Sequence, residues 1–299
     1  MNWIRAVLLI FLLVPKLSIA EIIPKIIVVN SNASVEKYKI VQDEFVKLIP
    51  YPLLSYDIAD KSLEEIDIKL ESDQTKADII YCIGIKAYLF ANKTFNAKSI
   101  LFSSIINWLR LELPQNTYGI SSELHSGMQI SLFRYFFPQI KKIGVLYTKN
   151  YTRQWLTDTE AIGKEMNIEI ISQDGTESMD IKKLLAVVQA YWLIPDPFIM
   201  SEKKNIFMLL RQCDEEKIPV FTYNAAFAKC GAVLAVELDN PTIGRQAADI
   251  TKTLLSNQPI EDKVQYLAGS YIVLNLTKVK EYKIPFQEIA LETTNLILE

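Results

Sequence analysis

Short, almost purely apolar runs alternate along this chain with longer segments that carry apolar residues at helical spacing. The runs Lys25–Asn30, Asp78–Gly84 and Lys142–Thr148 have the continuous hydrophobicity of strands buried on both faces of a parallel sheet. The segment Val35–Ile49 places its apolar residues on one helical face. This alternation predicts parallel sheets with helices on both faces, and its restart after Phe137 predicts two similar α/β halves.

The same reading assigns most of the remaining chain. Further strands are predicted at Leu53–Ile58, Lys98–Ser104, Asn167–Ser172, Tyr191–Asp196, Ile218–Thr222 and Tyr271–Asn275, with a short extended piece at Thr117–Ser121. Ser34 is the predicted cap of the first helix, and further helices are predicted from Ser62 onward and at Ile85–Lys93, Ser122–Phe137, Tyr151–Met166, Glu177–Ala190, Met200–Glu216, Asn224–Lys229 and Thr277–Tyr282. The segment Ile106–Leu113 fits either an irregular excursion or an edge strand.

One stretch, Gly231–Leu255, combines the signals of a strand and a helix start. Its apolar run Ala232–Val236 predicts a buried strand, and Asp239 followed by Pro241 predicts a capped helix. Gly244 lies inside that helix although glycine costs ~1 kcal/mol there relative to alanine. We therefore expect this part of the helix to pass close to another backbone.

The N-terminus has the layout of a secretory signal peptide, predicted to span residues 1–20. A positively charged start precedes the unbroken apolar run Ala6–Val14, and Ser18–Ala20 offers a small-residue cleavage site. An uncleaved membrane anchor is the alternative. No cysteine lies near the cleavage site, so the sequence favours a periplasmic or secreted protein without a lipid anchor. Of the three cysteines, Cys82 reads as a buried small hydrophobe, whereas Cys213 and Cys230 could pair in an exported protein.

Composition narrows the functional classes. A net charge of −3 and no basic stripe argue against nucleic-acid binding. The chain has only nine glycines and no phosphate-loop motif, and its single histidine, His125, leaves little for a metal site or a catalytic constellation. The sequence therefore predicts neither an enzyme nor a bound cofactor or metal.

Polar residues follow several of the predicted strands, at the edge of an open α/β sheet where ligands bind. The candidate ligand-binding residues are Asn30, Ser31, Gly84, Ser103, Ser104, Asp196, Tyr223, Asn224, Glu237 and Asp239, together with Tyr147, which could stack on a ligand. If two such edges faced each other across a cleft, these groups would suit a small polar molecule such as an amino acid. The alternative is that loops between strands and helices are polar in any protein.

Five segments, taken in order, resemble one protein family. They are NTYGIS (116–121), IGVLY (143–147), KIPVFTYN (217–224), the Gly231–Ala248 block with Gly244–Ala247 as GRQA, and VLNL (273–276). Together they resemble the substrate-binding proteins of ABC transporters, in the group that includes tryptophan- and tyrosine-type binders. Some positions depart from that family's pattern. Ile85 follows Gly84 where many relatives have threonine, and Ser104–Ile106 (SII) stands where they often have Thr-Asp-Pro. Pro195–Phe198 (PDPF) stands where the second lobe usually carries Pro-Thr-Asp-Asn.

The resemblance implies a type I periplasmic-binding-protein fold: two Rossmann-like lobes joined by three hinge crossings, near Tyr118–Glu123, Glu237–Pro241 and Leu267–Tyr271. It divides the chain into lobe 1, residues 21–117 plus 241–267, and lobe 2, residues 118–240 plus 268–299. It also implies a monomer that captures a small ligand for an ABC permease. The alternative is a module of the same fold used for sensing or partner docking.

Overall fold

A computed structural model of the protein describes residues 23–60, 77–94, 97–106 and 108–299. The predicted signal peptide, residues 1–20, and the predicted helix that opens at Ser62 lie outside the described residues. In the part of the chain that is described, no helix is long and apolar enough to cross a membrane.

The described strands form two separate sheets. In chain order they are β1 Ile26–Asn30, β2 Leu53–Asp57, β3 Ile79–Ile83, β4 Ser99–Ser103, β5 Thr117–Ile120, β6 Lys142–Tyr147, β7 Glu169–Asp174, β8 Ala190–Leu193, β9 Val220–Thr222, β10 Leu234–Leu238, β11 Val264–Gln265, β12 Ser270–Asn275 and β13 Leu296–Leu298. The first sheet has the order β11-β5-β4-β3-β1-β2 and the second β13-β12-β10-β9-β8-β6-β7. The predicted two-lobed α/β architecture is confirmed.

The first sheet is parallel throughout, whereas the second contains one antiparallel pair. In that pair β10 runs against β12, with Glu237 opposite Tyr271. The central strands are buried as their continuous apolar runs predict: Ile26, Val28 and Val29 of β1 have no exposed surface.

Helices cover both sheets. They are α1 Glu36–Leu48, α2 Ile85–Thr94, α3 Ser126–Phe136, α4 Arg153–Glu165, α5 Lys182–Leu185, α6 Lys203–Glu215, α7 Ala225–Lys229, α8 Asn240–Leu255 and α9 Leu276–Glu281, with 3-10 turns at Trp108–Arg110, Ile199–Ser201 and Glu288–Thr293. The segment Ile106–Leu113 is therefore an irregular excursion with one 3-10 turn.

Three helix predictions are wrong in detail because side chains satisfy the backbone locally. The predicted helix Glu177–Ala190 shrinks to α5, since the Gln173 amide donates to the carbonyls of Ser178 and Asp180 at 2.9 and 3.0 Å and holds a turn there. The helix predicted from residue 122 begins four residues later, after its cap His125. At the first helix, residue 35 takes the cap position, and Ser34 bonds Asn32 instead.

The chain passes between the two sheets three times. The first crossing, residues 121–125, leads from β5 to α3; the second, residues 238–240, from β10 to α8; and the third, residues 266–269, from β11 to β12. Helix α8 packs on α1 and on strands β3, β4 and β5, so it belongs with the first sheet although it follows a strand of the second.

Gly244 lies where α8 meets α1. A Cβ atom there would stand 2.5 Å from the carbonyl oxygen of Val41 and 3.0 Å from the backbone nitrogen of Phe45. The expected close approach to a backbone is confirmed, but the neighbour is helix α1 and not the crossing strands. This contact fixes α8 against the first sheet at the point where the second crossing ends.

The three cysteines are free in the structure. Cys82 and Cys213 are buried, and burial raises the pKa of both thiols above the usual range. Cys230 is exposed. The pairing of Cys213 with Cys230, left open by the sequence, is thus not formed here.

Candidate functional site

The candidate residues of the first lobe come together at the carboxyl edge of the first sheet. The backbone nitrogen of Ser31 donates to the carbonyl of Ile83 at 2.9 Å, and the nitrogen of Gly84 donates to the carbonyl of Ser103 at 2.9 Å. A Cβ at Gly84 would lie 2.6 Å from the Ser31 hydroxyl. Asn30, Ser31, Gly84, Ser103 and Ser104 therefore form one continuous edge.

Most polar atoms of this edge are already used inside the protein. Asn30 is fully buried; its amide donates to Gln42 Oε1 at 2.8 Å and its Oδ1 accepts from the nitrogen of Asn32 at 3.0 Å. The Ser31 hydroxyl accepts from the nitrogen of Ala87 at 2.9 Å, and the buried Ser103 hydroxyl bonds the Tyr81 hydroxyl at 2.7 Å. These side chains shape the edge, and their polar atoms are largely occupied by other parts of the fold.

The backbone turns sharply at Gly84 and Ser104. Their φ angles are +86° and +60°, a left-handed conformation that glycine adopts freely and serine seldom does. Each turn is followed by an exposed apolar side chain: Ile85 is 42% and Ile106 63% exposed. Because most polar atoms of this edge already have partners within the protein, the edge exposes mainly apolar side chains.

Asp196, expected to face a ligand, is fully buried in the second lobe. Its Oδ2 accepts from the nitrogen and hydroxyl of Thr148 at 3.0 and 2.8 Å and from the hydroxyl of Thr152 at 2.6 Å. Its Oδ1 accepts from the nitrogens of Phe198 and Ile199 at 2.9 and 3.2 Å. The carboxylate ties together the loops after β6 and β8, and this placement does not fit direct contact with a ligand.

Asn224 and Glu237 both serve the first turn of α7. The Asn224 side chain caps the helix by accepting from the nitrogen of Ala226 at 2.8 Å. Glu237 Oε2 accepts from the nitrogen of Ala225 at 2.7 Å, across from β10 to α7. One oxygen of this half-buried carboxylate keeps capacity to accept a further hydrogen bond.

Asp239 holds the start of α8 at the second crossing. Its carboxylate accepts from the nitrogen of Thr242 at 3.1 Å and from the Thr242 hydroxyl, and it pairs with Arg245 at 3.1 Å. The side chain is the helix cap predicted from the sequence, and that role occupies one of its two oxygens, Oδ2.

The two aromatic candidates, Tyr223 and Tyr147, lie at strand ends of the second lobe. The Tyr223 hydroxyl donates to the sulfur of Met200, and burial raises the pKa of this phenol well above its usual value, so it is neutral at physiological pH. Tyr147 is half-buried at the end of β6. Aromatic rings at these strand ends can stack on a flat or aliphatic ligand.

The two edges touch through residues that the sequence did not identify. The guanidinium of Arg110, in the excursion after β4, lies over the ring of Tyr151, in the loop after β6, 5.9 Å from its centre. The neighbouring Trp108 donates from its indole nitrogen to the Ser121 hydroxyl of the first crossing at 3.2 Å. The available signal was an apolar run with a single arginine directly after a strand end.

Exposed apolar side chains follow strand ends in both lobes. In the first lobe Leu109 is 67% exposed, and in the second Tyr151 is 45% and Phe198 42% exposed. Apolar side chains beside few free polar groups are typical of the lining of a small-molecule site. No group of three or more potential metal ligands is placed to hold an ion among residues 23–60, 77–94, 97–106 and 108–299.

His125 lies at the first crossing. Its Nδ1 accepts from the nitrogen of Gly127 at 3.1 Å, which caps α3, and its ring packs edge-on against Tyr266 of the third crossing, 5.0 Å between centres. The histidine therefore links two crossings and supports a helix start.

Comparison of this sequence with known proteins identifies a matching family and a relative. The model of the family described as ABC transporter substrate binding protein matches residues 38–296. A tyrosine-binding protein of Clostridioides difficile (strain R20291) is 22% identical over 231 residues, which span 73% of this chain and 66% of that protein's length.

Two solved structures share the architecture. The ligand-free, open structure of a substrate-binding protein with adhesive properties from Clostridium difficile is 16% identical, with a TM-score of 0.72. The structure of an ABC domain in complex with L-Trp from Streptococcus pneumonia is 17% identical, with a TM-score of 0.58. Each match covers 92% of this chain and 99% of the other. At this identity the likeness concerns the fold.

Proposed function

This chain belongs to the family of ABC transporter substrate-binding proteins, and we propose that it captures a small amino-acid-like ligand between its two lobes for a membrane permease of an ABC importer. The proposed role is binding, without a chemical step. Its place of action is outside the cytoplasmic membrane, as the signal-peptide pattern of residues 1–20 suggests.

The observation that carries the proposal is the meeting of two sheet edges at Arg110 and Tyr151. Because these residues follow strands of different sheets, a molecule beside them would touch both lobes. The exposed Ile106 and Leu109 on one side and Phe198 on the other favour a ligand with an apolar or aromatic side chain. The free acceptor of Glu237 and the guanidinium of Arg110 offer opposite charges for a zwitterion.

Closure follows from the crossings. A ligand held by one edge gains contacts from the other when the lobes approach, so it binds the closed state more tightly and shifts the population toward it. The sequence divides the lobes into residues 21–117 plus 241–267 and residues 118–240 plus 268–299; because all of β5 pairs in the first sheet, we place the first boundary after residue 120. The proposed working unit is a monomer.

Calorimetric titration with tyrosine, tryptophan, leucine and aspartate tests the proposal. We expect one of the apolar amino acids to bind, and saturation at a hundredfold excess over Kd to stabilise the protein by about 2.7 kcal/mol. Leu109→Ser should weaken that ligand about tenfold or more, because a buried leucine contributes ~1.5–3 kcal/mol. Leu89→Ser is the matched control, because Leu89 is also an exposed leucine and lies on α2. Equal affinity in both variants would show that the cleft lies elsewhere.

A second role is favoured by one observation about a relative. The similar Clostridium difficile protein is described as having adhesive properties, and the residues that follow Gly84 and Ser104 here depart from the family's pattern. The same fold could then serve partner docking or sensing. Failure of every amino acid and related metabolite to bind would favour this role over transport.

A further inference from the structure

A second surface site lies on the far side of the second lobe from the cleft. A cavity of about 380 Å³ is lined by Ser131, Arg134 and Tyr135 of α3, Pro138 and Lys141 of the turn before β6, Met166 after α4, and Gln287. The turn leads into the amino end of β6, whereas the cleft residues follow the carboxyl ends of strands. The cavity is therefore separate from the proposed ligand site.

The charged groups of this cavity have no partners in the described part of the chain. Arg134 is half-buried, yet its guanidinium forms no hydrogen bond or ion pair with any described residue, and the same holds for the Lys141 ammonium and the Tyr135 hydroxyl. A guanidinium carries five donors in a fixed fork, so an unpaired Arg134 keeps its full capacity to bind an anion. None of the lining residues is acidic, although the protein as a whole carries a net charge of −3.

Hydrogen bonds to backbone carbonyls hold the segments around this cavity in place. The nitrogen of Gln287 donates to the carbonyl of Phe136 at 3.0 Å, and the Gln139 amide donates to the carbonyl of Pro285. The nitrogen of Phe137 donates to the carbonyl of Phe133 at 2.8 Å. The bonds to Phe136 and Phe133 satisfy carbonyls at the C-terminal end of α3, whose partial negative charge would otherwise oppose an anion.

Arg134 also lies in the last turn of α3, where a cation stabilises the helix dipole without binding anything else. That role alone explains one arginine at this position. It does not explain why a second cation and two hydroxyl groups converge on the same cavity, or why apolar Pro138 and Met166 complete its wall.

We propose that this cavity is an oxyanion site: Arg134 and Lys141 hold a carboxylate or phosphate group, with donors from Tyr135 and Ser131, and the apolar wall receives a small organic body. Arginine matches the two oxygens of such a group with parallel hydrogen bonds. The same oxyanion chemistry occurs in soluble metabolites and in phospholipid headgroups.

Calorimetry with inorganic phosphate and with benzoate, beside sedimentation with phosphatidylglycerol and phosphatidylcholine vesicles, tests the site on the full chain. Arg134→Gln should weaken binding about tenfold or more, since hydrogen bonds to charged groups contribute ~1.5–3 kcal/mol. Arg134→Lys should restore part of the affinity. Lys39→Gln, which removes one exposed charge from α1, is the matched control, and circular dichroism verifies the fold of each variant.

The outcomes separate the two sources. Binding of phosphate or benzoate that Arg134→Gln weakens and Lys39→Gln does not identifies a soluble anion. Sedimentation with phosphatidylglycerol but not phosphatidylcholine, dependent on Arg134 and without binding of the soluble anions, identifies a headgroup. Absence of all binding, or equal loss in Arg134→Gln and Lys39→Gln, overturns the site and leaves the proposed cleft function untouched.

Discussion

Replacing Asp196 by alanine should destabilise the ligand-free protein strongly. The carboxylate accepts five hydrogen bonds and has no exposed surface. Two donors find other partners after the change: the nitrogen of Thr148 lies 3.1 Å from the Thr152 hydroxyl, which itself lies 3.3 Å from the carbonyl of Thr148. The donors left without an acceptor are the Thr148 hydroxyl and the nitrogens of Phe198 and Ile199.

Each unsatisfied buried donor costs about 1–3 kcal/mol, and entering water lowers the cost toward the smaller value. Three donors therefore give a loss of ~3–5 kcal/mol in the free energy of unfolding. Urea denaturation followed by far-UV circular dichroism measures this loss, as a lower midpoint at an unchanged slope.

Asp158→Ala is the control, because Asp158 is an exposed carboxylate on α4 whose side chain bonds only Gln154. Its free energy of unfolding should change by less than about 0.5 kcal/mol. The reasoning is refuted if Asp196→Ala unfolds at the same urea concentration as Asp158→Ala. If affinity for the amino acid is then lost as well, Asp196 faces the ligand, as its position after a strand suggests.

Three further predictions concern packing, thiols and acid stability. Gly244→Ala should destabilise by ~1–2 kcal/mol in urea despite its better helix propensity, because the added methyl meets the backbone of α1; a stabilised Gly244→Ala would contradict the packing. A thiol reagent at pH 8 should label Cys230 alone in the native protein and three cysteines in denaturant; native protein that reacts at none would reveal a disulfide. The Lys278 ammonium lowers the pKa of Asp214 below its usual 3.8, so the stability that this pair contributes is present above that pH and is lost as the pH falls further. The difference in melting temperature between the protein and Asp214→Asn should therefore disappear below about pH 4. A constant difference from pH 6 to pH 3 would show that the ion pair contributes nothing.

Much of the fold follows from the hydrophobic pattern. Strands such as Ile26–Asn30 and Ile79–Ile83 are buried on both faces, so nearly every residue in them must be apolar. Such an apolar run can be recognised from the local sequence alone. Short edge strands carry no such signal. Val264–Gln265 has two residues and Leu296–Leu298 three, and their pairing is decided by distant neighbours.

The candidate site was less accessible to sequence reasoning. Position after a strand end places Asn30, Asp196 and Glu237 at the right edges, but it does not reveal which backbone nitrogens they satisfy. That accounting depends on loops from elsewhere in the chain. Arg110 was missed for a different reason: the sequence allows an irregular excursion at Ile106–Leu113, but it does not show that this excursion reaches the other lobe.

Gln246 of α8 connects the second crossing to the third. Its amide donates to Gln265 Oε1 at 3.2 Å and to the carbonyl of Tyr266 at 3.1 Å, and its Oε1 accepts from the nitrogen of Ala268 at 3.2 Å. The second crossing ends at the cap of the same helix that thereby grips the third. The second and third connections are therefore joined through one helix, whereas the first meets the third through the ring contact of His125 with Tyr266. We expect rotation of one lobe against the other to displace all three connections together.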